Sequence, residues 1–465
     1  MSKSAITKMQ GIIVAIIIII ALVIGVYFAI LPSPSPSLGR PIKIAVCGPM
    51  AFKQGQDFWQ GATLAAEEIN EKYGGIKVGS EIRPIELVKI DTNDILSPTV
   101  DAPAAVERAI TIEGADFIIG PFSSASVLVC QEVAMDYKKI MIADGSSEAI
   151  TAKVRSNYDR YKYFFTFFLT LTQFAKSYLK LFEFVLNIVK SQYNVPNPKV
   201  AIIIEGNVWG DGIYSIAKPY ISSLGCQIVY EARPSSSATD LTVEFTAIKS
   251  AGVHIIFEAS TSSILGATIG RQWGELGVPA ILVGCNAEAQ KGKEYWDETA
   301  GYAEYELTFN QYAKGVNITH LTGPFFEKYV TKYGRDPTQS SVTYDVVYLL
   351  ADAITRAGTT DADAVVVELE KIGTRQGVTQ LYRSAPDGLT TVGKWLYNDA
   401  HQLTWQYDDP YVHPILGRIN PKDIPGLYCF IGTQLVNGEL KCVYPPDIPG
   451  TSPYEIPLRF EETFK

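Results

Sequence analysis

Histidine is scarce in this chain of 465 residues, which contains four of them: His254, His320, His401 and His413. They stand far apart and no Cys-x-x-Cys pair accompanies them, so the spacing typical of a zinc site is missing. The sequence also lacks a Gly-x-Ser-x-Gly elbow, a phosphate-binding Gly-Lys-Ser/Thr loop and a His-Glu-x-x-His helix. Because histidine poverty also limits proton transfer, we expect no metal, no cofactor, no catalytic residue and no enzymatic activity.

Basic residues are outnumbered by acidic ones, 40 to 49, which gives a formal net charge of −9. The two signs are interspersed, so the chain has no broad basic face and nucleic acid is excluded as a partner. The hydrophobic fraction of 47% and the aromatic fraction of 11% exclude a mainly disordered chain. The length predicts two to three domains.

Cysteine occurs in an even number but in no clustered pattern, at Cys47, Cys130, Cys226, Cys285, Cys429 and Cys442. Most of these residues lie in apolar strand or helix patterns, so buried free thiols fit the sequence at least as well as disulfides. A bridge between Cys429 and Cys442 is disfavoured, because a two-residue turn at Asn437-Gly438 places Cys442 opposite about Gln434.

A long apolar run is present near the amino terminus. Residues 11–31 are apolar without interruption, and at about 1.5 Å per residue a helix of this length spans roughly 30 Å of hydrocarbon. Lys3 and Lys8 precede the run, which predicts a cytoplasmic segment 1–10, a transmembrane anchor and an extracytoplasmic folded part. The predicted location is therefore the cell membrane, as a single-pass protein. Residues 32–40, rich in proline and serine, predict a semi-rigid linker.

A cleaved secretory signal is the alternative interpretation of the same run. The run is longer than a usual signal core and lacks a clear small-x-small cleavage site, which favours a retained anchor.

The rest of the chain alternates short β-rich runs with amphipathic helical stretches, first from Ile42 to Ala143 and again from Lys199 to Val283. This order predicts an α/β protein of two parallel-sheet lobes with a cleft between them. Charged residues interrupt the apolar stretch Tyr163 to Tyr193, which predicts a strand and a buried helix rather than a second membrane span. The predicted lobe 1 comprises 41–163 and 310–393, lobe 2 comprises 164–309 and 394–445, and an extended tail covers 446–465.

Serine-rich turns follow two of the predicted strands. The strand at Phe117 to Ile119 leads into Ser123 and Ser124, and the strand ending at Ala143 leads into Gly145, Ser146 and Ser147. Ligands bind at the carboxyl ends of parallel strands, where glycine allows close approach and the next helix offers unpaired N–H groups. Serine hydroxyls there suit a carboxylate, an amide or an ammonium group. The competing interpretation is that Ser123 and Ser147 only cap the helices that follow.

Five short sequence words occur in a fixed order along the chain: Ile44-Ala45-Val46-Cys47-Gly48-Pro49-Met50, Gly55-Gln56-Asp57-Phe58-Trp59-Gln60-Gly61-Ala62 running to Glu67-Glu68-Ile69-Asn70, Ile118-Ile119-Gly120-Pro121-Phe122-Ser123-Ser124, Gly145-Ser146-Ser147, and Trp209-Gly210-Asp211-Gly212. With these words, residues 41 to 450 resemble the type I periplasmic binding proteins, in the branched-chain amino-acid-binding branch that serves ABC importers. The resemblance implies two Rossmann-like lobes that are joined by hinge strands and close on a ligand.

The resemblance also implies roles for single residues. Ser124 matches the serine that binds the ligand's carboxylate, and Gly145 and Ser147 match the carbonyl and hydroxyl groups near its amino group. Trp209 stands where an aromatic residue covers the ligand, although a place in the core explains it as well. The loop Phe52 to Gln56 would form the near wall, with Phe52 and Gln54 as candidates.

One position departs from the family pattern. Amino-acid binders usually present an acidic residue after the second-lobe strand that corresponds to Ala280 to Val283, whereas this chain has Asn286 there. A neutral amide cannot pair with a buried ammonium group, and an unpaired buried charge is costly. Glu288 is a substitute two residues on. Without that substitute, the sequence favours an amide, a carboxylate without a free amine, or another polar metabolite.

The expected function is the capture of a small polar metabolite, an amino acid such as a branched-chain one or a related amide or carboxylate. The resemblance implies delivery to an ABC transporter permease, with the membrane contacted through the amino-terminal helix. A ligand-sensing receptor domain of the same fold, acting through a partner, is the alternative, and neighbouring permease and ATPase genes would favour transport.

Asn317-Ile318-Thr319 is a glycosylation sequon.

Overall fold

The computed structural model describes residues 39–373, 388–405, 410–413, 417–424, 426–427, 430–456 and 460. The apolar run 11–31, and with it the predicted anchor, lies outside these residues. Within the described part of the chain, no helix combines the length and the apolar character needed to cross a bilayer.

The first lobe begins with strands that the sequence predicts well. Its elements are β1 (Ile42–Gly48), α1 (Lys53–Tyr73), β2 (Ile76–Val78), β3 (Glu81–Arg83), β4 (Ile85–Asp91), α2 (Asp101–Thr111), β5 (Phe117–Ile119), α3 (Ser124–Asp136), β6 (Met141–Ala143), α4 (Glu148–Ser156), α5 (Tyr158–Tyr161) and β7 (Phe164–Thr166). Five of these strands form a parallel sheet in the order β4-β1-β5-β6-β7, and β2 and β3 form a separate antiparallel pair. Ile44, Ala45 and Val46 of β1 are fully buried, as expected for a strand covered by helices on both faces.

The second lobe repeats the alternation. Its elements are α6 (Leu171–Gln192), β8 (Lys199–Ile204), α7 (Val208–Ser223), β9 (Gln227–Ala232), α8 (Thr242–Ser250), β10 (Ile255–Ser260), α9 (Ser263–Glu275), β11 (Ile281–Asn286), α10 (Lys293–Glu298) and β12 (Leu307–Asn310). The apolar stretch that follows Tyr163 therefore contains a short strand and a helix, and much of that helix is buried. This agrees with the sequence-based expectation of a buried helix.

The chain then returns to the first lobe and finishes in the second. The remaining elements are α11 (Thr322–Tyr333), α12 (Thr343–Ala357), α13 (Ala362–Glu370), β13 (Leu389–Thr390), β14 (Gly393–Lys394), β15 (Tyr411–His413), β16 (Gly417–Ile419), β17 (Ile431–Val436) and β18 (Glu439–Tyr444), with short 3-10 helices at Ala289–Lys291, Gln339–Val342 and Pro421–Asp423. Helix α12 packs against α1 of the first lobe. The second sheet has the order β18-β17-β12-β11-β10-β8-β9.

The chain enters the fold through the first lobe. The backbone nitrogen of Gly39 donates to the carbonyl oxygen of Ile82 at 3.1 Å, and β1 follows at Ile42. It crosses to the second lobe after Thr166, returns after Asn310, and crosses again between β14 and β17.

Two lobe assignments made from the sequence need correction. Strand β7 pairs in parallel with β6, so Phe164–Thr166 extends the first lobe beyond the predicted boundary at residue 163. Residues 395–405, assigned to lobe 2 within 394–445, instead pack on β7: the His401 ring stacks on Phe165 with centroids 4.0 Å apart. The backbone nitrogen of Thr166 donates to the His401 carbonyl oxygen at 3.1 Å. The reason is that β7 is an edge strand, and this segment satisfies its free backbone groups.

The carboxyl-terminal hairpin forms where the sequence predicts it. Asn437 and Gly438 both have positive φ, as a two-residue turn requires, and Cys442 lies opposite Thr433 rather than Gln434. Cys442 is a free thiol, like Cys47, Cys130, Cys226 and Cys285, whereas Cys429 lies outside the described residues. Of the predicted tail 446–465, residues 446–450 form turns and bends, residues 451–456 follow without helix or strand, and residues 457–459 and 461–465 lie outside the described part of the chain. Glu455 and Gln434 of β17 exchange hydrogen bonds of 2.7 and 2.9 Å.

Candidate ligand-binding site

The two serine-rich turns lie side by side because β5 and β6 are neighbours in the first sheet. The Ser124 hydroxyl oxygen accepts the backbone N–H groups of Ser146 at 3.1 Å and of Ser147 at 3.2 Å. Gly145 is required by packing, since a Cβ atom there would lie 2.6 Å from the Val127 side chain. The turns are therefore bonded into one unit at the carboxyl edge of the sheet.

A cavity of about 260 Å³ lies between the lobes at this edge. The first lobe contributes the turns after β4, β5 and β6, and the second contributes α6, the end of β8, the start of α7 and the turn after β10. The lining residues are Asp94, Ile95, Pro98, Phe122, Ser123, Ser124, Ala125, Asp144, Ser146, Phe174, Tyr178, Glu205, Asn207, Val208, Trp209, Ser236, Thr261, Ser262, Cys285 and Gln339. Both lobes thus line the same cavity.

Four of the residues predicted from the sequence line this cavity: Ser123, Ser124, Ser146 and Trp209. Ser123 also caps α3, since its hydroxyl oxygen accepts the N–H of Ser126 at 3.2 Å. Ser147 does not line the cavity and caps α4 instead, through the N–H of Ala149. The capping interpretation therefore describes Ser147 fully and Ser123 in part. Gly145 likewise lies behind the lining residues.

Trp209 serves both the cavity and the core. Its side chain is 8% exposed and packs edge-on against Phe174 and Tyr178 of α6, with centroids 6.4 Å apart in each pair. The start of α7 lies so close to the end of β8 that a Cβ atom on Gly210 would come within 1.9 Å of the Glu205 carbonyl oxygen. Glycine at this position therefore permits the close approach. This close approach positions Trp209 at the cavity wall.

Phe52, Gln54 and Asn286 lie outside the cavity, which corrects their predicted placement. Phe52 lines a separate surface pocket with Ile264. Gln54 joins the lobes instead: its side-chain nitrogen donates to the Thr261 carbonyl oxygen at 3.3 Å.

Asn286 is fully buried in the second lobe and is not among the residues that line the cavity. Its amide nitrogen donates to the Gly266 carbonyl oxygen, the Tyr295 hydroxyl and the Glu306 carboxylate at 2.9–3.0 Å. Glu288, the proposed substitute, is also buried and pairs with Lys291 at 2.6 Å. Neither residue offers a charge to a ligand in the cavity.

Three acidic residues missed by the sequence analysis do line the cavity: Asp94, Asp144 and Glu205. Each follows the carboxyl end of a strand, respectively β4, β6 and β8. The rule that singled out the serine turns therefore applied to these residues as well. Burial raises the pKa of Asp94, and burial together with the charge of Asp94 raises the pKa of Asp144 well above its usual range.

Two helices point their amino termini at the cavity from opposite lobes. Helix α3 begins at Ser124 and α7 begins at Val208, and the first residues of both line the cavity. Free N–H groups at such termini attract anions. The aromatic side chains of Phe122, Phe174 and Tyr178 supply an apolar wall. The arrangement suits a small molecule with a carboxylate and an apolar body.

The described residues contain no cluster of His, Cys, Asp or Glu side chains that could hold a metal ion. The basic residue types Lys, Arg and His are also absent from the described lining of the cavity. An anionic ligand group would therefore be bound by N–H and hydroxyl donors.

Comparisons with known proteins agree with this architecture. Leu/Ile/Val-binding protein homolog 7 of Brucella abortus is 22% identical over 347 residues, which cover 72% of this chain and 81% of that protein. The isoleucine complex of the branched-chain amino acid transporter substrate-binding protein LivJ from Streptococcus pneumoniae superposes with a TM-score of 0.65 at 19% identity, covering 86% of this chain and 97% of that one. An ABC transporter solute-binding protein from R. palustris in complex with benzoate gives 0.63 at 13% identity, covering 89% and 98%.

The sequence model of the periplasmic binding protein family matches residues 41–397, which is most of the chain. The chain therefore belongs to the periplasmic binding protein family, which confirms the resemblance found in its sequence.

Proposed function

We propose that this protein is an extracytoplasmic solute-binding protein that captures a small polar metabolite, an amino acid or a related acid, and presents it to an ABC transporter permease. The observation that carries the proposal is the cavity of about 260 Å³ lined by both lobes, with the amino termini of α3 and α7 facing it. A ligand that touches both lobes stabilises the closed state relative to an open one, because only closure provides both sets of contacts.

The ligand's carboxylate is proposed to bind at the start of α3. There the Ser124 hydroxyl accepts two backbone N–H groups, so its own hydrogen is available for a bond to the ligand. The unpaired N–H groups in the first turn of the helix add further donors. The apolar wall formed by Phe174, Tyr178 and Trp209 would receive the rest of the molecule.

The names of similar proteins point to the same class of ligand. The Brucella relative is named for leucine, isoleucine and valine, LivJ was solved with isoleucine and the R. palustris protein with benzoate. We extend these names to this chain as a proposal about ligand class: an organic acid with an apolar body. Binding without chemical conversion is part of the proposal, as in a carrier that must release its ligand unchanged.

Membrane tethering by residues 11–31 is also part of the proposal, with the folded lobes outside the cytoplasm. The support is the uninterrupted apolar run and the proline-rich linker that follows it. A tether would keep the binding protein at a high effective concentration near its permease.

The test is isothermal titration calorimetry of the purified full chain in detergent against amino acids, their amides and short aromatic or aliphatic acids. Binding of at least one of these ligands, lost in Ser124→Ala, is the expected result. Failure of the whole panel to bind would remove nutrient capture as the function.

A further inference from the structure

The three carboxyl groups that face the cavity differ in how they are satisfied. Asp94 accepts the backbone N–H groups of Phe122 at 2.6 Å and Ser123 at 3.1 Å, and the Thr92 hydroxyl as well. These bonds tie the turn after β4 to the turn after β5. Asp94 is therefore a structural acceptor whose donors come from its own lobe.

Glu205 is satisfied in the second lobe in the same manner. Its carboxylate accepts the Ser236 hydroxyl and the backbone N–H groups of Thr261 at 2.7 Å and Ser262 at 3.3 Å. The Thr261 hydroxyl donates to it at 2.9 Å. Glu205 thus holds the turn after β10 against the end of β8 and has little capacity left for a ligand.

Asp144 has no such partners. Its side chain is 4% exposed and lines the cavity, and no side-chain or backbone group of the described residues donates a hydrogen bond to its carboxyl group. The described lining also contains no Lys, Arg or His that could neutralise it. A buried carboxylate without a donor or a counter-charge is costly, so ionised Asp144 would be stabilised by a cationic or hydrogen-bond-donating group of a ligand.

We propose that Asp144 binds the amino group of the ligand, so that the captured metabolite is a zwitterionic α-amino acid rather than a simple carboxylic acid. This inference rests on the proposed function and specifies its substrate class. It places the counter-charge, for which Glu288 of the second lobe was the sequence candidate, in a turn of the first lobe. Glu288 and its neutral neighbour Asn286 bond within the second lobe.

The geometry of the sheet supports an α-amino acid in particular. Ser124 follows β5 and Asp144 follows β6, and neighbouring strands lie about 4.8 Å apart. An α-amino acid carries its carboxylate and ammonium groups on one carbon atom, so the two groups can meet adjacent turns at the same time. The side chain would then point toward Phe174 and Tyr178 across the cavity.

Proton release follows from this pairing. In the empty cavity burial favours the neutral carboxyl form of Asp144. When the ligand's ammonium group arrives, the carboxylate form becomes favourable, and the proton of Asp144 passes to the buffer. The bound complex then contains one ammonium and one carboxylate group in contact, and binding releases up to one proton.

The experiment compares matched ligands with and without the amino group. The probes are L-leucine with 4-methylpentanoate and L-phenylalanine with 3-phenylpropanoate, titrated calorimetrically into the full chain at pH 7. We expect the amino acid of at least one pair to bind about 30-fold or more tightly than its deaminated partner, because loss of one member of a buried charge pair is costly. In Asp144→Asn that preference should fall to within a few-fold, with the affinity for the deaminated acid largely unchanged.

A matched control is Asp399→Asn, which makes the same chemical change on the first-lobe surface, where Asp399 pairs with Arg155 at 2.6 Å. It should leave both affinities unchanged. Titration of L-leucine or L-phenylalanine in phosphate and in Tris buffer should give different heats for the wild type, since the buffers take up protons with different enthalpies. The difference should vanish in Asp144→Asn.

The outcomes separate the inference from the proposed function. Equal binding of both members of a pair to the wild type, or an equal loss of both in Asp144→Asn, would overturn the role of Asp144 and leave ligand capture intact. A wild-type heat that does not depend on the buffer would overturn the proton release. No binding by any of the four probes would overturn this inference and, with the wider panel, the proposed function.

Discussion

The hydroxyl oxygen of Ser124 lies 3.1 Å from the backbone nitrogen of Ser146, so the turn after β5 is hydrogen-bonded to the turn after β6. The same oxygen accepts the N–H of Ser147 at 3.2 Å. One side chain therefore fixes the relative position of two turns that meet the ligand cavity. Its removal is expected to affect both binding and folding.

Ser124→Ala should weaken ligand binding and also lower the melting temperature of the empty protein. The alanine leaves two backbone donors without their acceptor, and an unsatisfied buried donor costs about 1–3 kcal/mol of unfolding free energy. Calorimetric titration and thermal melting measure the two effects. Ser147→Ala is the control, since it removes a helix cap outside the cavity and should cost stability alone, by about 1 kcal/mol. An unchanged melting temperature for Ser124→Ala would show that the two donors find water instead.

Trp209→Ala is expected to destabilise the protein by about 3 kcal/mol as well as to weaken binding. The indole ring lines the cavity and also packs on Phe174 and Tyr178, so its loss leaves a void in the second lobe. Trp209→Phe should recover most of the stability, because an aromatic ring still contacts α6. Chemical denaturation with calorimetric titration separates the two roles. If Trp209→Ala melts like the wild type, the contact with α6 contributes little.

Gln54→Ala should weaken binding about 2–10-fold without a large change in stability. The Gln54 side chain donates to the Thr261 carbonyl oxygen across the gap between the lobes, and one hydrogen bond contributes about 0.5–1.5 kcal/mol. Its loss shifts the equilibrium toward open forms, which small-angle scattering of the empty protein would detect. Glu71→Ala, an exposed change on the same helix, should have neither effect. Identical scattering curves for Gln54→Ala and the wild type would show that this hydrogen bond does not hold the two lobes together.

Stability should fall as the pH rises above the ordinary carboxyl range, because of a buried pair in the second lobe. Glu258 and Glu306 are 0% and 1% exposed, and burial is the main cause that raises the pKa of both. Such groups hold protons in the folded state that the unfolded chain has already lost above about pH 4.3. The folded state therefore binds more protons, and the free energy of unfolding decreases with increasing pH until the carboxyls ionise.

Glu258→Gln tests this pH dependence directly. The amide cannot ionise, so the decline in melting temperature between pH 5 and pH 8 should be smaller than in the wild type. Glu275→Gln makes the same change at an exposed position of the second lobe and should follow the wild-type curve. If the melting temperature of Glu258→Gln declined as steeply as that of the wild type, the pH dependence would have to come from groups other than Glu258.

The sequence was sufficient to predict the two lobes and the paired serine turns. Both depend on local signals: continuous apolar strands, helical periodicity, and turns at the carboxyl ends of strands that follow each other in the chain. Ser124 and Ser146 came together because consecutive βα units occupy adjacent places in the sheet.

Asn286 shows why the position of a residue along the chain was not enough to predict whether its side chain lines the cavity. Its neighbour Cys285 lines the cavity, whereas Asn286 itself bonds beneath α9 and the cluster around Glu306. Successive residues of a strand point to opposite sides, so an error of one residue exchanges a lining position for a buried one. A single sequence does not define that register at the end of a strand.

Long-range packing explains the misplaced lobe boundary. Residues 395–405 lie more than 200 positions after β7 in the sequence, yet they cover its edge through His401 and Leu403. Nothing local in that segment indicates which lobe it will contact. Asp144, in contrast, directly follows the carboxyl end of β6, so the rule that places ligand sites at the carboxyl ends of parallel strands applies to it as it does to the serines beside it.

The chain enters the fold at Gly39 and Ile42, and both residues belong to the first lobe. The chain segment before residue 39 is therefore joined covalently to the first lobe, at the start of β1. With residues 11–31 as the anchor, the attachment to the bilayer would run through the first lobe, and closure would move the second lobe relative to the attached one. A fluorophore on the second lobe should therefore report ligand-driven changes in distance to dye-labelled lipid, and one on the first lobe should stay silent.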